Sequence, residues 1–333
     1  MTVNKTSRRV WNYENPARTS VLNDAGDTAY FFGEYGDEVT KWSMGAMENR
    51  TLPYYLYNKR TPELADGKRK FNTFHEMFNP QTPQWLVWIL GKVTEDGSAA
   101  NVHTIEPLDS GYQYPLTIRH EEGGGTETFE QMVSSWCIGA YFRAAMGNPF
   151  LVDLEFAYEQ YEDHDDNNQL TSTILDAGHA DVIGAYNGMP TVTYDPDGGT
   201  PDVIDWIVKA EGTIPCKYST TLNGAETQQV VYKEEFEPVD FTLTGVSSEN
   251  TFWDKYMDRT QQDWEIAIYK PNTSYYVKMK MVDAIPIKII KEGEPYKGFY
   301  MSTIHLKAEE VTVIFTHEDH GADFDVHLLG EVV

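Results

Sequence analysis

The sequence is short of three things: cysteine, long apolar runs and basic residues. It has two cysteines, Cys137 and Cys216, without the CxxC spacing of a metal or redox pair. They read as buried free thiols, with a disulfide between them as the alternative. The longest strictly apolar run is Trp85 to Leu90, far below the roughly 20 residues of a membrane-spanning helix. The opening MTVNKTSRRVW carries basic residues but no apolar segment behind them, so no secretory leader and no membrane partner are expected. These features together predict a chain folded in a reducing, soluble compartment. Lys and Arg number 26 against 52 Asp and Glu, a formal net charge of −26. A protein that grips nucleic acid needs the opposite balance, because phosphate contacts supply most of that affinity.

What is present is ample material for a core. Of the 333 residues, 41% are hydrophobic and 13% aromatic, which excludes a disordered chain. The charge is uneven. Residues 1–80 are close to neutral, and their basic residues cluster at Arg8-Arg9, Lys59-Arg60 and Lys68-Arg69-Lys70. All of the net negative charge falls on residues 81–333. One reading is a solvated surface; the other is a positive arm that meets the acidic body of a neighbouring copy.

Pro16, Pro53 and Pro62 break up the first 70 residues, which read as an extended arm with loops. Phe71, Phe74, Met77 and Phe78 have helical spacing, and Thr82-Pro83 marks the start of a short helix through Leu90, closed by Gly91. From Val102 the period becomes two. Met132, Ser134, Trp136, Ile138, Ala140 and Phe142 are assigned to one strand face, opposite Ser135, Cys137, Gly139, Tyr141 and Arg143. After the turn at Gly147-Asn148-Pro149, the row Phe150, Val152, Leu154, Phe156 and Tyr158 alternates with Leu151, Asp153, Glu155, Ala157 and Glu159. The second half repeats the manner: a strand from Val203 to Lys217 broken near Gly212, a helix from Glu249 to Arg259 capped by Ser248, and several strands after it. The predicted class is therefore mainly β with minor α, as sandwich or barrel modules with long hairpins and one short helix each. The predicted division is an arm over 1–70, a first module over 71–165, an acidic linker over 166–200 and a second module over 201–333.

Chemistry is thin. There is no phosphate-cradling GxxxxGK[ST], no GxSxG elbow and no zinc-protease helix after His75-Glu76. His317, His320 and Asp323 form a weak candidate metal set near the C-terminus, with a solvated loop as the bland reading. Glu162 to Asp166 lacks the pattern of a calcium loop. No enzyme activity and no cofactor are expected.

The stretch from Asn79 to Glu159 resembles the major tail tube proteins of long-tailed viruses of bacteria and archaea. The resemblance lies in TPQWLVWILG (82–91), NVHTIEPL (101–108), YPLTIRHE (114–121) and MVSSWCIGAYFRAAMGNPFLVDLEFAYEQ (132–160). The glycine that opens the family's last strand pair is replaced here, where Ser135-Trp136-Cys137-Ile138 stand. The resemblance implies a structural virion protein, assembled in the host cytoplasm. Its rings, trimeric and pseudo-hexameric or hexameric, stack into a tube beside tape-measure, tail-terminator and tip proteins. Genome DNA passes through the barrel lumen without specific binding. On that reading Asp153, Glu155 and Glu159 are the lumen-facing acids, and Arg8, Arg9, Lys59, Arg60, Lys68, Arg69 and Lys70 the candidates for contact between rings. A carbohydrate- or receptor-binding β-sandwich of a tail or fibre is the alternative.

Overall fold

The computed structural model describes residues 7–14, 29–32, 42–44, 48–54, 63–70, 73–80, 84–95, 102–108, 114–122, 128–148, 150–164, 174–175, 190–195, 202–222, 229–247, 251–259, 261–269, 276–296 and 299–316. The protein is mainly β, as expected. The front of the chain supplies β1 (Ser7–Tyr13), β2 (Ala29–Phe31), β3 (Trp42–Met44), β4 (Glu48–Tyr54) and β5 (Glu63–Lys70). Next come β6 (Phe74–Phe78), α1 (Gln84–Leu90), β7 (Gly91–Glu95), β8 (Val102–Pro107) and β9 (Leu116–Glu122). The long hairpin is β10 (Thr128–Ala145) with β11 (Leu151–His164). Short strands follow: β12 (Ile174–Leu175), β13 (Thr191–Asp195) and β14 (Asp202–Ile204). The chain then forms β15 (Ile207–Leu222), β16 (Gln229–Phe236), β17 (Val239–Ser247) and α2 (Thr251–Asp258). It finishes with β18 (Gln262–Tyr269), β19 (Tyr276–Tyr296), β20 (Phe299–Ala308) and β21 (Glu310–Thr316).

β10 is the hub of a curled, barrel-like sheet. β11 runs along one of its edges from Phe129↔His164 to Arg143↔Leu151. The other edge is shared: β9 takes the first part and β15 takes Gly139 to Ala145. From β9 the sheet continues through β1 to β2. From β15 it continues through β17 and β20 to β19. β19 serves two pairings in succession. Its first part lies between β18 and β21, and beyond Asp283, which has φ 51°, it pairs with β20. The positive φ re-aims the strand in the way a bulge does.

Several pairings run across the expected division. β10 pairs with β15, and β8 pairs with β21, so the boundary at 166–200 does not separate two sheets. The acidic linker holds β13, which pairs with β14 and β18. The arm over 1–70 is not an arm throughout, because β1 is a full partner of β9. Among the described residues, β4 and β5 pair with each other and with no other strand.

One apolar core underlies the sheet. Trp85 to Leu90 are all buried, as a helix apolar on every side must be. Gly91 ends the helix at φ 97°, the left-handed conformation that glycine adopts without strain. Lys233 caps the same end, donating to the carbonyls of Trp88 and Ile89. Two expectations fail here. Phe74–Phe78 is a strand with Phe74, Glu76 and Phe78 inward, not a helix. Its helical look came from Glu76, a charged residue in a core position that hides the period of two. β15 runs unbroken through Gly212, which serves packing and not termination. In α2, Phe252 is buried against Trp206 at 4.6 Å while Trp253 faces out; the expected cap at Ser248 lies outside the described residues.

Candidate assembly surfaces

The apolar row that alternates along β11 faces the core. Phe150, Val152, Leu154, Phe156 and Tyr158 are in the core, with Phe156 stacked on Phe74 at 5.2 Å. Asp153, Glu155 and Glu159 are therefore on the opposite face. β10 keeps its assigned faces only in part. Irregularities between Met132 and Ser135, and between Cys137 and Gly139, each shift the register. Met132, Cys137, Ala140 and Phe142 consequently share the main core, while Trp136 and Ile138 form a second cluster with Ala157 and Val231. Each extra residue turns the following side chains over.

That outer face is of mixed charge. Asp153 sits 3.3 Å from His75 Nδ1, and burial raises its pKa against the opposing pull of His75. Tyr141, paired with Asp153, donates to Glu211 at 2.7 Å. Burial first, and Glu211 second, push the tyrosine pKa well above its ordinary range. Lys209 approaches Glu211 at 2.8 Å, and Lys307 approaches Asp240 at 3.8 Å. Farther along, Thr242 meets His305 and Thr244 meets Thr303, both at 3.1 Å across paired strands. Glu155 lies opposite Gly139, where a β-carbon would sit 3.6 Å from the carboxylate. Glu159 is engaged within its own chain: it accepts from the Val231 amide at 3.1 Å, beneath β16.

The interior holds a polar group that the sequence did not reveal. Arg9, Glu76 and His120 come from β1, β6 and β9 and are each 5% exposed or less. Arg9 Nη1 donates to Glu76 at 2.8 Å, and His120 Nε2 contacts the other carboxylate oxygen. Arg9 is thus removed from the candidates for contact between copies, because its guanidinium is buried in an internal ion pair. A second buried carboxylate, Glu14, accepts from the Ser134 amide at 2.6 Å, the Ser134 hydroxyl at 2.7 Å and Thr117 at 2.7 Å. Ser134 has φ 51°, and Glu14 holds that irregularity in place. Alternation in FHEMF, with Glu at the centre, was the one signal that could have exposed the first group.

Of the remaining basic candidates, Arg8 is in β1, and Lys68, Arg69 and Lys70 are in β5. Lys59, Arg60, His317, His320 and Asp323 lie outside the described residues. Among the described residues no group of three His, Cys, Asp or Glu is arranged to hold a metal, and no helix is long and apolar enough to cross a membrane. Cys137 and Cys216 are buried free thiols. Burial pushes the Cys137 pKa up to about 12.

No family model matches the chain, and no curated protein matches it. Among solved structures, it is similar to the anti-feeding prophage cap (AFP tube terminating cap), determined by cryo-EM. That match has 12% identity over 38% of this chain and 88% of the other, with a TM-score of 0.29. The likeness is too slight to establish a shared fold.

Proposed function

We propose that the protein is a structural subunit of a viral tail, a self-associating component of the tail tube. The observation that carries this reading is the β4–β5 hairpin. Among the described residues it pairs with no other strand, and a two-stranded hairpin in isolation is marginal in water. It includes Lys68, Arg69 and Lys70, while the rest of the chain is strongly acidic. A second copy is therefore a natural partner for it. Support also comes from the resemblance of residues 79–159 to tail tube proteins and from the broad polar sheet face around Asp153. That face would line the bore, where Lys209 and Lys307 are already paired with Glu211 and Asp240 and so give DNA phosphates little to grip. Rings of trimeric or hexameric symmetry, stacking into a tube in the host cytoplasm and taking up tape-measure and tip proteins, complete the reading.

Negative-stain microscopy of the purified full chain tests it, with analytical ultracentrifugation in parallel. Rings and tubes with a central channel are expected, and averaged images distinguish six-fold from three-fold symmetry. Compact monomers at every salt concentration, binding a glycan, would replace this function with that of a carbohydrate-binding module.

A further inference from the structure

Two inward rows run side by side on β10 and β15. Phe142 lies opposite Gly212 and Ala140 opposite Ile214, all four buried. The next inward residue of β15 is Cys216. On β10 it is Cys137 and not Ile138, because the irregularity between Cys137 and Gly139 leaves Ile138 in the second cluster. The two cysteines are therefore cross-strand neighbours on one face, a relation that brings α-carbons to about 4.5–5.5 Å. A disulfide spans about 4.4–6.8 Å between α-carbons. In this structure both are free thiols. Each donates to a carbonyl of its own strand, Cys137 to Gly139 at 3.6 Å and Cys216 to Lys217 at 3.4 Å.

We infer that Cys137 and Cys216 are an oxidisable pair, closed by hydrogen peroxide to a disulfide within the chain and reopened by a dithiol. The bond staples β10 to β15 and closes a loop of about 80 residues, which restricts the unfolded chain. Cys216 is 8% exposed and Cys137 3%, so peroxide meets Cys216 first. The Cys216 sulfur attacks one peroxide oxygen. An S–O bond forms, the O–O bond breaks, and the departing hydroxide takes a proton to become water. The Cys137 sulfur then attacks the sulfenic sulfur. The S–S bond forms, the S–O bond breaks, and the second hydroxide also leaves as water. The two thiol protons end in the two waters, and the two electrons lost by sulfur reduce the peroxide. Lys233 helps, because its ammonium favours both thiolates against the burial that pushes the Cys137 thiol up to about 12 and raises that of Cys216. Burial also makes the pair slow to react and selective for a small oxidant. The inference stands independently of the proposed function.

Peroxide treatment of the reduced full chain at about pH 8.5, near the ordinary thiol pKa, tests it. Non-reducing digestion and mass spectrometry then read the product. A peptide joining Cys137 to Cys216 is expected, from a chain that runs as a monomer on a denaturing non-reducing gel. Dithiothreitol is expected to return both thiols. Oxidation is expected to raise the guanidinium midpoint of wild type by about 0.5 M, with no rise in Cys137→Ala or Cys216→Ala. In Cys137→Ala, dimedone is expected to trap a sulfenic acid at Cys216. Wild type whose thiols stay free, whose cysteines pass separately to sulfinic acids, or whose disulfides form only between copies overturns the pair. A midpoint that stays level or falls on oxidation overturns the staple.

Discussion

Glu76 shows how much a single buried charge can decide. Its carboxylate is fully enclosed, with Arg9 on one oxygen and His120 on the other. Removing one partner of such a pair leaves an uncompensated charge in a medium of low dielectric, which costs far more than an exposed ion pair contributes. Glu76→Gln is expected to destabilise the subunit by about 3–5 kcal/mol, read as a lower midpoint in guanidinium denaturation. A loss below about 1 kcal/mol would mean that Arg9 finds water or another acceptor. The same residue explains a misreading. Phe71, Phe74 and Phe78 fitted a helix only because the inward position between Phe74 and Phe78 held a charge. Hydropathy alone carries no information about a buried ion pair whose partners lie about 40 and 70 positions away.

A second effect at this scale depends on pH. The Cys137 thiol has a pKa of about 12 in the fold against an ordinary 9.0. Its neutral form is favoured by the fold, so its contribution is complete below pH 9 and is lost as pH rises toward 12. Lys233 works in the opposite direction. Burial lowers its pKa from 10.5, so the cost of its charge fades as pH rises toward that value. Cys137→Ala should leave a flatter alkaline limb than wild type, measured as the urea midpoint at about pH 8, 9.5 and 10.5. Parallel profiles for the two proteins would show that another group governs that limb.

Among the elements, β15 carries the clearest lesson about glycine. Gly212 read as a break in the strand, yet the backbone continues through it and pairs with both β10 and β17. A β-carbon there would lie 2.4 Å from the Phe142 ring and 2.8 Å from that of Phe241. The missing side chain is what lets these two rings approach to 5.6 Å. Gly212→Ala must therefore displace aromatic groups on both neighbouring strands, at a cost of about 1–3 kcal/mol. Thermal unfolding measures it, and an unchanged midpoint would show that the rings shift freely. The strand alternation of β11 was legible because all its inward residues are apolar. That of β10 was legible only up to its irregularities, since the devices that turn the strand over, Glu14 and Ser134, are 120 residues apart in sequence. Short helix α1 and its closing Gly91 were readable because both signals are local.

At the scale of the whole molecule, the net charge of −26 poses a problem for any assembly of many copies. Each copy repels the next at long range, while in the proposed assembly the basic residues of β5 attract the acidic surface of a neighbour at contact. Salt separates the two because their ranges differ. At about 0.01 M the screening length is about 30 Å, longer than most gaps between neighbouring surfaces, so whole-body repulsion acts in full. At about 0.15 M it falls to about 8 Å, which removes most of the repulsion between bodies and leaves touching ion pairs less affected. At about 1 M it is about 3 Å, and the contact pairs are screened as well. The proportion of stacked protein should accordingly rise, pass through a maximum near physiological salt and fall again. The fall would be steep if charge dominates the contact between copies and shallow if apolar burial does, since high salt does not weaken apolar burial. Sedimentation of the wild-type chain across that range reads the curve directly. A monotonic increase up to 1 M would assign the cohesion to apolar contact alone and leave the basic residues of β5 without a part in it.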